Sequence, residues 1–355
     1  MVRVLQISGN MNMGGQETFI MNVYRNIDRS KVQFDFVVHS KERGYYDDEI
    51  EKLGGRIYRI TPMTRNIFKH CKELKSVIKN GKYEIVHRHT SSSIVFIDLL
   101  IAKICGVKKR IAHSHSNKAQ KSPVLNMVCR LFLNALATEK LACSLDAKNS
   151  LYGNIHNYKI LYNAIEIDKF LFNETMREKI RKKNKCQNKF VIGHIGRFSP
   201  EKNHKFILEL YNEILKDKSN VELWLIGDGQ LKKNIIDRAK QMNLIDKIKF
   251  LGIVDNVCEL LQGMDIFIFP SLYEGLGISL IEAQVSGLDC IASTNIQNEA
   301  IITNKVVCKD LDINEWKKEI CRKRNNERII DKENEGIKKF SIENLKNEMT
   351  KIYLS

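Results

Sequence analysis

Residues 189–227 read KFVIGHIGRFSPEKNHKFILELYNEILKDKSNVELWLIG, and the fold turns on this stretch. An apolar run, KFVIGHIG, leads into a loop, then a segment of helical apolar spacing over 203–216, then a second apolar run, VELWLIG, at 221–227. Short, continuously apolar runs fit strands buried on both faces. Two of them joined through a helix make a βαβ unit, and such a crossover pairs strands in parallel. The pattern goes on: KIKFLG (247–252), DIFIFP (265–270), DCIAS (289–293) and KVVC (305–308) alternate with helical segments at 230–242, 256–263, 277–286 and 313–325.

The same alternation runs upstream. VRVLQIS (2–8), VQFDFVV (32–38), RIYRI (56–60), EIVH (84–87), RIAH (110–113), KLACS (140–144) and KILY (159–162) are strand candidates. Amphipathic segments at 17–27, 66–79, 91–105 and 123–137 lie among them. The expected class is α/β, with two doubly wound parallel-sheet domains over 1–165 and 166–340 and a closing helix over 341–355. The join falls near 163–173, and a charged helical segment at 182–185 opens the second domain. Open sheets of this kind bind ligands at the carboxyl ends of their strands.

A chain of 355 residues with 43% hydrophobic and 28% charged residues is globular and long enough for two cores. Its nine cysteines form no Cys-x-x-Cys and no Cys/His cluster, so neither a zinc ribbon nor a disulfide framework is indicated. The start, MVRVLQISGN, runs straight into a strand rather than a signal peptide. The apolar stretches 94–107 and 124–137 are too short to span a bilayer and carry Asp98, Lys103 and Arg130. A cytoplasmic protein is expected. The net charge of +16 is uneven: residues 1–165 hold 26 Lys+Arg against 13 Asp+Glu, and the remainder 32 against 29. Basic residues gather at Arg56, Arg59, Arg65, Lys69, Lys72, Lys75 and Lys79, beside Ile67 and Phe68, and again at Lys108-Lys109-Arg110. Without the interleaved aromatics of a stacking platform, this charge argues for an anionic membrane surface over nucleic acid.

Three segments carry chemistry. There is no Gly-x-x-x-x-Gly-Lys-Ser/Thr and no Gly-x-Gly-x-x-Gly after the first strand, which disfavours P-loop and dinucleotide enzymes. Gly14 and Gly15 instead let backbone N–H groups approach an anion at a helix start. In GRFSPEKNH, Arg197 and Lys202 bracket a strand-to-helix loop, as two cations neutralising a diphosphate would. In PSLYEGLGISLIEAQVSG, Gly275-Leu276-Gly277 precede a helix. Glu274 stands before it, and Glu282 lies about two turns in, among Leu280, Ile281 and Ala283. A carboxylate there is costly without a partner, and a ribose diol is one. Asp310-Leu311-Asp312, a pattern that metal-dependent transferases use, precedes a helical segment and reads as a cap.

In order along the chain, the Gly14-Gly15-x-Glu17 loop, LYNAIEIDKF, the Arg197…Lys202 pair and the Glu274–Glu282 pair resemble the metal-independent, retaining GT-B glycosyltransferases of family four. FPSLYEGLGISLIEAQVSGLDCI looks closest to the branch that builds capsular and extracellular polysaccharide. The resemblance implies two facing Rossmann-like domains with a cleft between them, the first binding acceptor and the second nucleotide sugar. It implies that Arg197 and Lys202 hold the donor diphosphate, Glu282 the ribose and Glu274 a sugar hydroxyl. The Gly14-Gly15 and Gly275, Leu276, Gly277 amides would close on the donor, and Ile253 would line the base pocket. The family's histidine beside the transferred sugar falls on RIAHSHSN. Strand alternation puts His113 and His115 on one face, so pattern does not choose between them, and His115, at the strand end, fits the motif better.

The implied substrates are a nucleotide sugar, UDP-linked by default, and a glycan or polyprenyl-linked glycan, with no cofactor, no metal and no nucleic acid. Attachment to the inner face of the cell membrane is expected. The sequence departs from the family at Ala164, Gly277 and Asp289, where glycine and two prolines are usual, and STNIQNEAI stands where a Gly-Gly is common. The alternative is a non-catalytic GT-B partner that binds membrane glycan or another transferase.

Overall fold

The computed structural model describes residues 1–115, 123–322 and 327–355, so the end of the helix expected over 313–325 lies outside the described residues. The chain forms two compact units: Met1–Ala164 together with Lys339–Ser355, and Ile165–Lys338.

The first unit runs β1 (Val2–Ile7), α1 (Gly15–Asn26), β2 (Val32–Val38), α2 (Asp47–Lys52), β3 (Ile57–Arg59), α3 (Ile67–Gly81), β4 (Ile85–Thr90), α4 (Phe96–Ile104), β5 (Lys109–Ser114), α5 (Pro123–Leu136), β6 (Glu139–Ala142), α6 (Leu145–Tyr152) and β7 (Lys159–Ile160). All seven strands are parallel, in the order β3-β2-β1-β4-β5-β6-β7. Alternate residues feed two cores. Val4, Ile85 and Ile111 join Phe19, Tyr24 and Phe34 on one face, while Leu5, Ile7, Val86 and Ala112 join Leu74, Leu99 and Leu133 on the other. Asp35 sits fully buried inside β2, held by Arg3, the Tyr83 hydroxyl and the Arg56 amide at 2.6–2.8 Å. Burial works against its charge, but those bonds more than offset it and keep the carboxyl below the usual range.

The second unit runs α7 (Ile167–Phe170), α8 (Glu174–Lys183), β8 (Phe190–Ile195), α9 (His204–Asp217), β9 (Val221–Ile226), α10 (Lys232–Gln241), β10 (Ile248–Gly252), α11 (Val257–Gly263), β11 (Ile266–Phe269), α12 (Ile278–Val285), β12 (Asp289–Ser293), β13 (Val306–Lys309), α13 (Ile313–Cys321) and α14 (Glu335–Lys338). Its six strands are parallel, in the order β10-β9-β8-β11-β12-β13. Leu223 and Leu225 face one core, Trp224 and Ile226 the other.

The last helix, α15 (Ile342–Leu354), begins at Ser341, whose side chain caps the Asn344 amide at 3.0 Å, and packs on α1 and β1 of the first unit. The helical segment expected at 182–185 is corrected. Asn173 caps α8 through the Met176 amide at 2.8 Å, and the helix is over before Lys185, at φ 53°. The short helices α2 and α6 have no counterpart in the reading of the sequence. Their six and eight residues are too few to show a periodic apolar stripe.

Candidate active site

In the second unit, strand order reverses between β8 and β11, and the expected donor residues other than Ile253 follow these two strands. Crevices at such switch points take ligands. Arg197 comes two residues after β8; it is exposed and forms no salt bridge among the described residues, though its charge acts on nearby Glu201. Lys202 closes a single 3₁₀ turn after Pro200, and its ammonium pairs with the Glu274 carboxylate, 4.7 Å from the Phe269 ring centre. Glu274 also accepts from the Gly275 amide at 3.3 Å and the Ser271 hydroxyl at 3.5 Å. A backbone bond from the Leu272 amide to the Glu201 carbonyl, 2.8 Å, ties the two loops together. One cation at this edge is therefore already matched with a carboxylate, and the other is exposed.

Gly277 caps α12 at φ 70°, and a Cβ there would meet the Phe269 ring at 3.2 Å. A proline, locked near φ −65°, cannot adopt that conformation, which accounts for glycine where the family usually has proline. Gly275 is open, with nothing within 4 Å of where a Cβ would stand, and Leu276 is half-buried. The Ser279 hydroxyl donates to the Ile195 carbonyl at 3.0 Å and anchors the first turn of α12 to the end of β8. Glu282, one turn further on, has no partner among the described residues. Desolvation pushes its carboxyl up to about 8. Ile253, the residue after β10, is 77% exposed.

In the first unit, Gly14 caps α1, with Gly15 opening the helix, and the Glu17 carboxylate lies where a Cβ on Gly14 would go. Burial pushes the Glu17 carboxyl up. Below this turn lies a cluster of four histidines. Gln6 of β1, His87 and His89 of β4, and His113 with His115 at the end of β5 share the sheet face covered by α1 and α15. His115 Nε2 lies 2.8 Å from His89 Nδ1, and His89 Nε2 lies 2.8 Å from Gln6 Oε1. Gln6 Nε2 donates to the Tyr353 hydroxyl at 3.0 Å, which faces His87 Nδ1 at 2.8 Å, and His87 Nε2 reaches His113 Nδ1 at 3.3 Å.

The two ends of this chain, His113 Nε2 and His115 Nδ1, are buried without partners. Burial lowers all four rings: His115 falls to about 3 and the others well below their ordinary value, so the cluster is neutral. His113 is fully buried, whereas His115 is partly exposed and packs edge-on to Phe19, ring centres 5.3 Å apart.

One family model, glycosyl transferases group 1, matches residues 176–339, and a second, glycosyl transferase 4-like, matches residues 13–143. The putative glycosyltransferase EpsF of Bacillus subtilis is 36% identical over 83% of this chain and 79% of its own length. The chain belongs to the group 1 glycosyltransferases.

A second relative of this group 1 glycosyltransferase, 27% identical over 77% of the chain and 75% of its own length, is the Escherichia coli UDP-Gal:alpha-D-GlcNAc-diphosphoundecaprenol alpha-1,3-galactosyltransferase. Among solved structures, Anabaena Alr3699/HepE in complex with UDP superposes with a TM-score of 0.78 over 99% of both chains at 16% identity, a likeness of fold. The fold is GT-B, with two Rossmann-like parallel sheets.

Reading the sequence for single motifs missed His87, His89, Gln6 and Tyr353 in this glycosyltransferase. The available signal was a pair of His-x-His repeats, HRH and HSH, at the ends of neighbouring strand candidates. One nitrogen from each of His87, His89 and His113 lies within 4.8 Å of the others, a spacing a metal ion fits. The bonds just described already engage those rings. Asp312 caps α13 through the Glu315 amide at 2.9 Å, and Asp310 accepts from the Thr294 hydroxyl at 2.6 Å.

Proposed function

We propose that this glycosyltransferase moves a sugar from a UDP-linked donor to a hydroxyl of a polyprenyl diphosphate-linked glycan, retaining the anomeric configuration and using no metal. The setting is capsular or extracellular polysaccharide synthesis, with the protein held peripherally on the inner face of the cell membrane. The observation that carries the proposal is Glu282: a desolvated carboxyl on α12, eight residues after Glu274 and without a partner among the described residues. A nucleotide's ribose diol supplies the two hydroxyls that this group lacks. The UDP-bound structural neighbour and the relative that acts on a diphosphoundecaprenol substrate support the choice of donor and acceptor.

The proposed roles follow from what each group offers. Arg197, with its exposed planar fork, and Lys202 neutralise the leaving diphosphate, with the Gly275–Gly277 amides beside them. Glu274 orients the donor sugar, and Ile253 covers the base. His115, neutral at every physiological pH, contacts sugar as a hydrogen-bonding group rather than as an acid. The acceptor attacks the face from which the diphosphate leaves, and a diphosphate oxygen takes the acceptor's proton, so no protein base is needed.

Calorimetry with UDP, GDP and ADP tests the donor assignment. UDP is expected to bind at least tenfold more tightly than the other two, and equal binding of all three contradicts it.

A further inference from the structure

Helix α5 presents a face that none of the described residues covers. Val124, Leu125, Val128, Leu131, Phe132 and Ala135 recur along it at helical spacing and are exposed, Val124 to 71% and Leu131 to 67%. The one charged side chain of the helix, Arg130, is turned away and donates to the Ser150 carbonyl at 2.9 Å. Packed beside α5, α4 adds exposed Leu100 and Ile104, and the Phe96 and Phe132 rings stack at 5.3 Å across the seam. Monomeric proteins rarely leave a contiguous apolar patch of this kind to water.

The patch has a basic border. On α3, which packs against α4, Phe68 (85% exposed), Lys72, Lys75 and Lys79 form one outward stripe, and Lys103 of α4 and Lys108 continue it. No exposed acid lies on α3, α4 or α5: Glu73 is half-buried and accepts from the Thr61 amide at 2.6 Å, and Asp98 is buried against Arg88 and His70 at 2.7 Å. Three other cations noted in the sequence are occupied: Arg59 pairs with Asp47, Lys109 donates to the Ile352 carbonyl at 2.6 Å, and Arg110 to the Leu136 carbonyl at 2.9 Å.

We infer that the outer face of α5, with Leu100 and Ile104, inserts into the boundary between headgroups and acyl chains of an anionic bilayer, while the lysines of α3 and α4 contact its headgroups. A protein partner fits less well, because lysine is depleted at protein interfaces, whereas an apolar strip bordered by lysines suits a lipid surface. The start of α5 is also fixed to the carboxyl edge of the sheet, where His115 lies, by a 2.5 Å bond between the Ser93 hydroxyl and Asn126. A lipid-linked acceptor would thus be met at the edge that carries the site.

The inference rests on the peripheral-membrane reading above, and the test separates the two. The full chain carrying Leu131→Trp is mixed with vesicles of phosphatidylcholine and phosphatidylglycerol, with and without brominated acyl chains. Both native tryptophans, Trp224 and Trp316, are fully buried in the second unit, so they supply an unquenched background. The expected result is quenching of the Leu131→Trp emission but not of a Lys240→Trp control on α10. With it, Leu131→Glu should lower the vesicle-bound fraction about tenfold while UDP affinity stays unchanged. Vesicle binding without quenching at position 131 overturns the α5 assignment and leaves peripheral attachment standing. Absence of binding to anionic vesicles overturns both. A dimer that Leu131→Glu converts to monomer, with vesicle binding unchanged, makes the face a contact between copies and also overturns the assignment.

Discussion

His115 Nε2 lies 2.8 Å from His89 Nδ1, and this bond connects the one partly exposed histidine of the cluster to a buried glutamine. The Gln6 amide oxygen only accepts, so His89 Nε2 carries its proton, His89 Nδ1 is bare, and His115 donates from Nε2. His115 Nδ1 is then a bare acceptor. Turning the amide over reverses every bond in the chain, from His115 through Tyr353 to His113. Whichever way it runs, the two unpartnered ends have opposite character, one donor and one acceptor.

Gln6→Leu removes that constraint and should move His115 toward a mixture of tautomers, visible in long-range ¹H–¹⁵N correlation spectra. Transfer should fall about three- to tenfold in kcat, the effect of one misplaced hydrogen bond of about 1 kcal/mol, with donor KM little changed. An unaltered tautomer together with unaltered kcat contradicts the positioning role.

If Glu282 holds the ribose as proposed, nucleotide binding should depend on pH. Its carboxyl is mostly protonated at pH 7 in the free protein, whereas a ribose diol is held best by the carboxylate. UDP affinity should therefore rise between pH 7 and 9, and calorimetry in buffers of different ionisation enthalpy should show close to one proton released per UDP at pH 7. Glu282→Gln should abolish the release and weaken UDP. A folded-state pKa above the unfolded value also costs stability as pH climbs from about 4.3 toward 8, so Glu282→Gln should raise Tm at pH 8.

The roles proposed for Lys202 and Glu274 separate sugar from nucleotide. Glu274→Gln releases Lys202 for the diphosphate, so UDP affinity should stay level or rise severalfold while transfer falls. Arg197→Ala and Lys202→Ala should each lower kcat/KM by about ten- to a hundredfold, given about 1.5–3 kcal/mol for a charge-assisted bond. A Glu274→Gln variant that loses UDP as fully as Glu282→Gln contradicts the division of roles.

Most of the fold could be read in the sequence because parallel strands buried on both faces are written as local apolar runs. Glu282 could be flagged the same way, since a carboxylate inside an apolar helical stretch is anomalous wherever the helix packs. The histidine cluster depends on register. His89 stands opposite His113 only because the crossover through α4 sets that alignment, and the length of a crossover does not dictate it. Tyr353 reaches Gln6 across 347 positions, and Lys202 reaches Glu274 across 72. No local pattern encodes such meetings.

Buried neutral histidines should make the protein labile to acid. Burial lowers His39 and His204 to about 4, His115 to about 3, and His87, His89, His113 and His194 well below their ordinary value; only His70, beside Asp98, is raised. Below about pH 6.5 the unfolded chain takes up protons that the fold refuses, so stability falls as pH drops. At about 1.4 kcal/mol per histidine per pH unit, seven such groups exhaust about 5–15 kcal/mol of stability within roughly one to two units. Circular dichroism should show unfolding near about pH 5, before most carboxylates titrate. A chain still folded at pH 4 with an unchanged Tm contradicts this.

The central claim is sugar transfer from a UDP-linked donor without a metal, and the product itself is the most direct test. The protein is incubated in excess EDTA with a panel of UDP-, GDP- and ADP-sugars and a polyprenyl diphosphate-linked glycan, and the new linkage is read by NMR. The predicted result is UDP release matched mole for mole by a glycan that keeps the donor's α configuration. An inverted linkage, transfer only after manganese is restored, or turnover confined to GDP- or ADP-sugars would contradict it.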